Sequence, residues 1–351
     1  MSDKIVLMDL QAQILKLLSS QSGLTSSEIH DRIKSTKSAK TTKRVLDQLV
    51  DKKLIEKEGL NRYTSYSLSK SYSILHSIDI DEYFQQDIDE RDIQKAFNHK
   101  LLREDLHRVD LFTDEEYRKL ETLQGEYRKN VSGLSPTQYQ KEVERLAIDL
   151  SWKSSQIEGN TYTLLETERL LKDKETAAGK TKDDAVMLLN HKEAIDFIVD
   201  NPTYLEILSV RRIEDIHSIL VNELGIDRNL RSRRVGITGT NYRPLDNEFQ
   251  IKEAFIEMCH LINSKSNVFD KALLALVLVS YIQGFSDGNK RTARITSNAL
   301  LIGHKYCPLS FRTVSSIDYK KAMLIFYERN NITPFKRIFI DQFEFAVKTY
   351  F

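Results

Sequence analysis

Gln283-Gly284-Phe285-Ser286-Asp287-Gly288-Asn289-Lys290-Arg291-Thr292-Ala293-Arg294 is the stretch on which the fold turns. It separates an apolar run, Ala272 to Ile282, from a second helical pattern over 289–304. Gly288 frees the backbone to turn, and Asn289 opens the next helix. The first N–H groups of that helix have no partner within it, so its N-terminus receives an anion through donors and dipole together. Lys290, Arg291 and Arg294 add fixed positive charge, and arginine grips phosphate oxygens bidentately. Asp287, just before the turn, is placed to share a Mg²⁺ ion with those oxygens. Taken alone, Asp287-Gly288-Asn289 reads equally well as an ordinary helix entry with solvated cations.

Outward from this loop the chain is patterned for helices. The 3.6-residue period predicts them over 114–130, 137–153, 161–172, 181–200, 211–223, 250–264, 268–282, 289–304 and 316–329. Only 12 Gly and 5 Pro in 351 residues agree with a mainly α fold. One interruption, Val235 to Pro244 (VGITGTNYRP), alternates β-formers with Gly and Asn and predicts a small hairpin. Hydrophobic residues at 40% and charged residues at 29% exclude a disordered chain. The run Ala272–Ile282 is shorter than the roughly 20 residues that span a bilayer, so no membrane partner is expected. Two cysteines, Cys259 and Cys307, make neither a disulfide framework nor a four-cysteine zinc site, and the opening MSDKIVLMDLQAQ lacks a secretory pattern. A cytoplasmic location is expected.

The first 75 residues differ from the rest. They hold 13 Lys and Arg against 8 Asp and Glu, net +5, leaving net −4 in the remainder. Asp9–Ser20 places Leu10, Ile14, Leu17 and Leu18 on one helical face, and Gly23 ends it. Thr25-Ser26-Ser27-Glu28 has the form of a capping box opening a short helix, Ser26–Ile33. A third helix, Ala39–Lys53, buries Val45, Leu49 and Val50, and two short strands follow within 54–68 around a polar turn. Three helices and a hairpin resemble a winged helix-turn-helix domain. Lys40, Thr41, Lys43 and Arg44 on the third helix and Arg62 at the wing tip are then candidates for contacting duplex DNA, with a homodimer as the natural binding form. Five net charges are a modest footprint, and protein contact is the competing use of this module. The chain divides into 1–75, a connecting segment 76–112, and 113–351.

The central loop resembles the Fic-family motif, His-x-Phe-x-Asp/Glu-Gly-Asn-Gly/Lys-Arg-x-x-Arg, at Phe285, Asp287, Gly288, Asn289, Lys290, Arg291 and Arg294. Upstream, Ser154-Ser155-Gln156-Ile157-Glu158-Gly159 resembles that family's inhibitory motif, with Ser154 and Glu158 in the named places, and 235–244 is similar to its flap. The resemblance implies an all-α Fic-type domain with a hairpin flap, binding ATP with Mg²⁺ and moving AMP to a Tyr, Ser or Thr hydroxyl of a protein target or of the chain itself. It implies Asp287 as metal ligand, and Gly288, Asn289, Lys290, Arg291 and Arg294 as phosphate binders. Thr240 and Tyr242 would lie on the target side of the flap, with Ser154 and Glu158 as the inhibitory pair.

One departure bears on activity. The family's base histidine falls at Gln283, whose amide accepts a hydrogen bond but takes up no proton near neutral pH. A missing general base lowers a rate by about 10²–10⁴. An impaired adenylyltransferase and a nucleotide-sensing DNA-binding regulator without turnover are therefore the two readings. Lys290, where Gly is commonest in AMP-transferring members, adds Doc-like phosphotransfer as a third.

Overall fold

The computed structural model describes residues 2–33 and 37–351, and side chains throughout these except for residues 2–9 and 62. The chain contacts separate it into two units, residues 1–93 with 329–333 and residues 94–328 with 334–351.

The first unit is a winged helix. Helices α1 (Ser2–Ser20), α2 (Ser26–Arg32) and α3 (Ala39–Asp51) carry strands β1 (Leu24–Thr25), β2 (Ile55–Glu58) and β3 (Ser65–Leu68), joined antiparallel in the order β1-β3-β2. Leu10, Ile14 and Leu18 of α1 meet Val45, Leu46 and Leu49 of α3 and Ile29 of α2 in one apolar core. Thr25 caps α2 and Glu28 answers it, so the predicted capping box is formed. Strand β1, two residues long, is too short to announce itself in sequence. Helices α4 (Lys70–Leu75) and α5 (Ile80–Gln85) complete this unit.

The second unit is built from helices: α6 (His99–Arg103), α7 (Asp114–Ser132), α8 (Pro136–Ile157), α9 (Leu164–Asp173), α10 (Lys182–Asp200), α11 (Val210–Leu220), α12 (Glu248–Ser264), α13 (Val268–Ile282), α14 (Asn289–Gly303), α15 (Ser316–Arg329) and α16 (Thr333–Tyr350). Capping boxes at Thr113, Ser135 and Thr163 start α7, α8 and α9. Every residue of α13 except Lys271 is buried, as an all-round apolar helix requires, and α14 packs along it. No described helix is long and apolar enough to cross a membrane.

Two expectations need correction. Residues 235–244 form no paired hairpin; the segment turns at Gly239 (φ +91°), and its one β-bridge joins Arg243 to Ala96. Pro244 lacks the N–H that a ladder would need there. Second, the predicted helices stop at 329 and omit α16, although Phe335, Phe339, Phe343 and Val347 bury one face of it at four-residue spacing.

Candidate functional site

The loop between α13 and α14 is built on two left-handed residues. Gln283 ends α13 at φ +53° and Gly288 caps α14 at φ +78°. A Cβ on Gly288 would meet the His217 ring at 3.2 Å, and one on Gly284 would meet the Phe255 ring at 2.2 Å. Packing thus fixes both glycines, and at Gly288 the left-handed backbone does so as well. Asn289 holds the loop closed, its Oδ1 accepting from Phe285 N–H (2.9 Å) and its Nδ2 donating to Phe285 O (2.8 Å). Phe285 is buried face to face on His217, with ring centroids 3.7 Å apart.

Gln283 braces this arrangement. Its Nε2 donates to Ser280 O (2.8 Å) and to the Tyr327 hydroxyl (3.1 Å), while its Oε1 accepts from Asn289 Nδ2 (3.2 Å). Both amide hydrogens are committed, and no histidine is among its partners. His191 bonds Ser154 instead, and His304 bonds Leu300 O at the far end of α14.

The cations differ in their commitments. Arg294 is fully buried: Nε donates to Ser154 Oγ (2.7 Å), and Nη2 donates to Ser154 O (3.0 Å) and Glu158 Oε1 (2.8 Å). Lys290 Nζ takes the other carboxylate oxygen, Glu158 Oε2, at 2.9 Å. Burial by itself would raise the Glu158 pKa, but Arg294 and Lys290 outweigh it and hold the carboxyl at about 2. Glu158 caps α8, and Gly159 (φ +101°) then turns the chain away. Arg291, also buried, is held loosely, by Asp287 Oδ2 at 3.5 Å and Leu220 O at 3.4 Å, and its Nε has no partner among the described residues. Asp287 is mostly exposed and accepts the Gly288 N–H at 2.6 Å. The carboxylate therefore sits on the first donor of the α14 N-terminus.

Two buried histidines flank the cations and remain neutral. Burial, then Arg294 and Arg291, push the His191 pKa well down, and its Nε2 shares a hydrogen bond with the Ser154 hydroxyl at 2.6 Å. Burial lowers His217 to about 4; its ring bonds Asp227 O and Thr292 Oγ1, each at 3.2 Å. A lone histidine on the apolar ridge of Ile213, Ile216 and Leu220 was the available signal for His217. Arg231, hidden in the basic run NLRSRR, left no such signal. It is buried and donates to the carbonyls of Gln283 (2.6 Å), Arg233 (2.6 Å) and Leu245 (2.5 Å), tying 231–245 to the loop.

The predicted flap residues part company. Thr240 is half-buried and accepts the Tyr242 N–H at 3.0 Å. Tyr242 does not face outward: it is 2% exposed and stacks on Tyr281 and Tyr327, its hydroxyl donating to Tyr281 O. Its large ring gains more from an aromatic stack than from solvent.

In the first unit, Lys40, Lys43 and Arg44 project from the exposed side of α3. Thr41 is half-buried and bonds Ser38, the α3 cap. The Arg62 side chain lies outside the described ones.

Among the described residues, no three His, Cys, Asp or Glu side chains cluster to hold a metal ion. A lone exposed carboxylate beside a helix N-terminus does fit Mg²⁺, which is usually held by one or two carboxylates plus substrate phosphates.

Residues 207–301 match the Fic/DOC family, and residues 7–111 match the penicillinase repressor family. A protein adenylyltransferase Fic from Nematostella vectensis is 28% identical over 174 residues, 48% of this chain and 40% of that protein. Its counterpart from Aedes aegypti is 26% identical over 202 residues, 55% of this chain and 40% of that protein. The chain thus spans about two fifths of the length of these relatives. Among solved structures, Fic-1 from C. elegans is similar at a TM-score of 0.59 and 18% identity, covering 67% of this chain and 72% of that one. A Fic-domain-containing signaling protein from Bacteroides thetaiotaomicron is similar at 0.55 and 20% identity, covering 66% and 94%.

Proposed function

This chain is a Fic-family protein carrying a penicillinase-repressor-type winged helix, and from that premise we propose that it binds Mg·ATP at the α13–α14 loop in a self-inhibited state, with AMP transfer slowed by Gln283. The observation that carries the reading is Glu158 held between Arg294 and Lys290. Those cations are the groups a triphosphate would need, and a carboxylate already occupies both.

On this reading the first N–H groups of α14 receive the phosphates, and Arg291, with Nε unpartnered, closes on them. Asp287 would hold Mg²⁺, which, when bound, neutralises phosphate charge and orients the chain of phosphates. To do so its carboxylate leaves the Gly288 N–H, freeing that donor for an oxygen. Arg294 reaches the distal phosphate only after Glu158 lets go. Catalysis is then positioning plus electrostatic stabilisation of the transferred group. A target hydroxyl oxygen attacks the α-phosphorus, the bond from that phosphorus to the α–β bridging oxygen breaks, and pyrophosphate leaves carrying the bridging oxygen. Gln283 orients but takes up no proton, so the hydroxyl proton must pass to solvent.

Incubation with ATP labelled in its α-phosphate tests this. Glu158→Gly should label slowly, and Glu158→Gly with Gln283→His about 10²–10⁴ faster. Equal rates would remove Gln283 as the cause of impairment, and no bound nucleotide in any variant would remove the ATP reading.

The penicillinase repressor match favours a second role, duplex DNA binding through Lys40, Lys43 and Arg44. Nucleotide state would then accompany DNA binding in one chain, on its own or as a homodimer in the cytoplasm. Protein target and DNA site follow from the same labelling and gel-shift experiments, whereas Doc-like phosphotransfer would label a target only from ATP labelled in its γ-phosphate.

A further inference from the structure

The clamp around Glu158 is one end of a longer feature. On α8 and its cap, Leu146, Leu150, Ser154 and Glu158 follow at four-residue spacing. On α14 the series is Lys290, Arg294, Asn298 and Ile302, and on α10 it is His191, Ile195 and Val199. Residues four apart form a single ridge along a helix, each step about 6 Å. The polar ends of these ridges make the Ser154–Glu158–His191–Arg294 network. Their apolar ends line a cleft of about 440 Å³ bounded also by α7.

This cleft has a definite chemistry. Leu146, Leu150, Ile195, Ile198 and Ile302 make its walls, and no Asp or Glu lines it. Two exposed cations, Arg128 and Lys305, border it, and neither pairs with a carboxylate among the described residues. Arg128 lies over the Tyr306 ring, 5.5 Å from its centroid, which holds the guanidinium at the rim. An apolar trough of small-ligand volume with an unopposed positive rim is complementary to a chain with one anionic end.

We infer that the α8–α10–α14 cleft binds a small amphipathic carboxylate, and that its occupancy loosens Glu158 from Arg294. The tail lies between Leu150 and Ile302 and the carboxylate meets Arg128 and Lys305. A body lodged between α8 and α14 at this end separates the same ridges that bring Glu158 to Arg294 at the other. Close-packed helices pass such a displacement along rather than absorbing it. The binding claim stands on the cleft alone, whereas the coupling rests on the proposed ATP site.

Calorimetry of the full chain with octanoate tests both. Octanoate should bind, while propionate (short tail) and octylammonium (reversed charge) bind at least about tenfold more weakly. Arg128→Glu with Lys305→Glu should weaken octanoate by about tenfold or more, and Ile302→Trp should block it. If Ile302→Trp fails to fold by circular dichroism, the surface pair decides alone. No octanoate heat at millimolar concentration, or equal binding of octylammonium, would overturn the site. So would a dimer that breaks on Ile302→Trp and is indifferent to octanoate, which would give the cleft to a second copy. Saturating octanoate should tighten ATP binding in the wild type and leave Glu158→Gly unchanged; by linkage ATP tightens octanoate equally. Unchanged or weaker ATP binding in the wild type overturns the coupling. Failure of both proteins to bind ATP sinks the ATP site instead, with the octanoate comparison still deciding the cleft.

Discussion

Arg294 and Arg44 carry the same charge in opposite settings. Arg294 is wholly buried, its guanidinium bound by Ser154 and Glu158 and laid over the Tyr319 ring, 5.0 Å from the centroid. Arg44 stands in solvent on α3. A buried cation persists only where partners offset the loss of water, so its surroundings are specified atom by atom. An exposed one needs no partner, and the fold specifies only which face it is on. The first arrangement is therefore a built site, the second an electrostatic surface whose use depends on what approaches.

The contrast gives unequal mutational effects. Arg294→Ala leaves Glu158 buried with Lys290 alone and should destabilise the protein by about 3–5 kcal/mol in urea unfolding. Adding Glu158→Gly should restore much of that loss. A single mutant as stable as the wild type would erase the distinction between the two regions.

Acid sharpens the same point. The Glu158 carboxyl is held at about 2, below its ordinary value of 4.5, so the folded state binds this proton less readily than the unfolded one. Its contribution is complete above the unfolded value and disappears as pH falls through the folded one. The stability gap between wild type and Glu158→Gln should be widest above pH 5 and close between about 4.5 and 2. A gap independent of pH across that range would contradict the ion-pair account.

The exposed set should behave oppositely. Lys43→Ala with Arg44→Ala should weaken duplex DNA binding by the full chain in a gel shift and lower the salt slope by about two. Protein stability should change by no more than about 0.5 kcal/mol. Binding indifferent to ionic strength would reassign α3 to protein contact.

Legibility in the sequence follows the same division. The loop residues Asp287 to Arg294 could be read because a tight turn and a helix start constrain residue types locally. Ser154 and Glu158 could be paired with them through family resemblance, since nothing local joins positions 140 residues apart. His191 and Arg231 left no local signal because they act through partners distant in the chain, and His217 left only its place on an apolar ridge. Residues 235–244 misled because alternation of β-formers signals an extended backbone without supplying a pairing strand. Tyr242 misled for a related reason, as the stack that buries it comes from α13 and α15. The winged helix was legible because its core is made of local helix periodicity.

The central claim is that Glu158 and the terminal phosphate of ATP compete for Arg294. Titration calorimetry of Mg·ATP into wild type and Glu158→Gly measures this directly. The account predicts binding tighter by about tenfold or more in the variant, from removal of one charge-assisted contact, at one site per chain. Equal affinity and stoichiometry in the two proteins would contradict it.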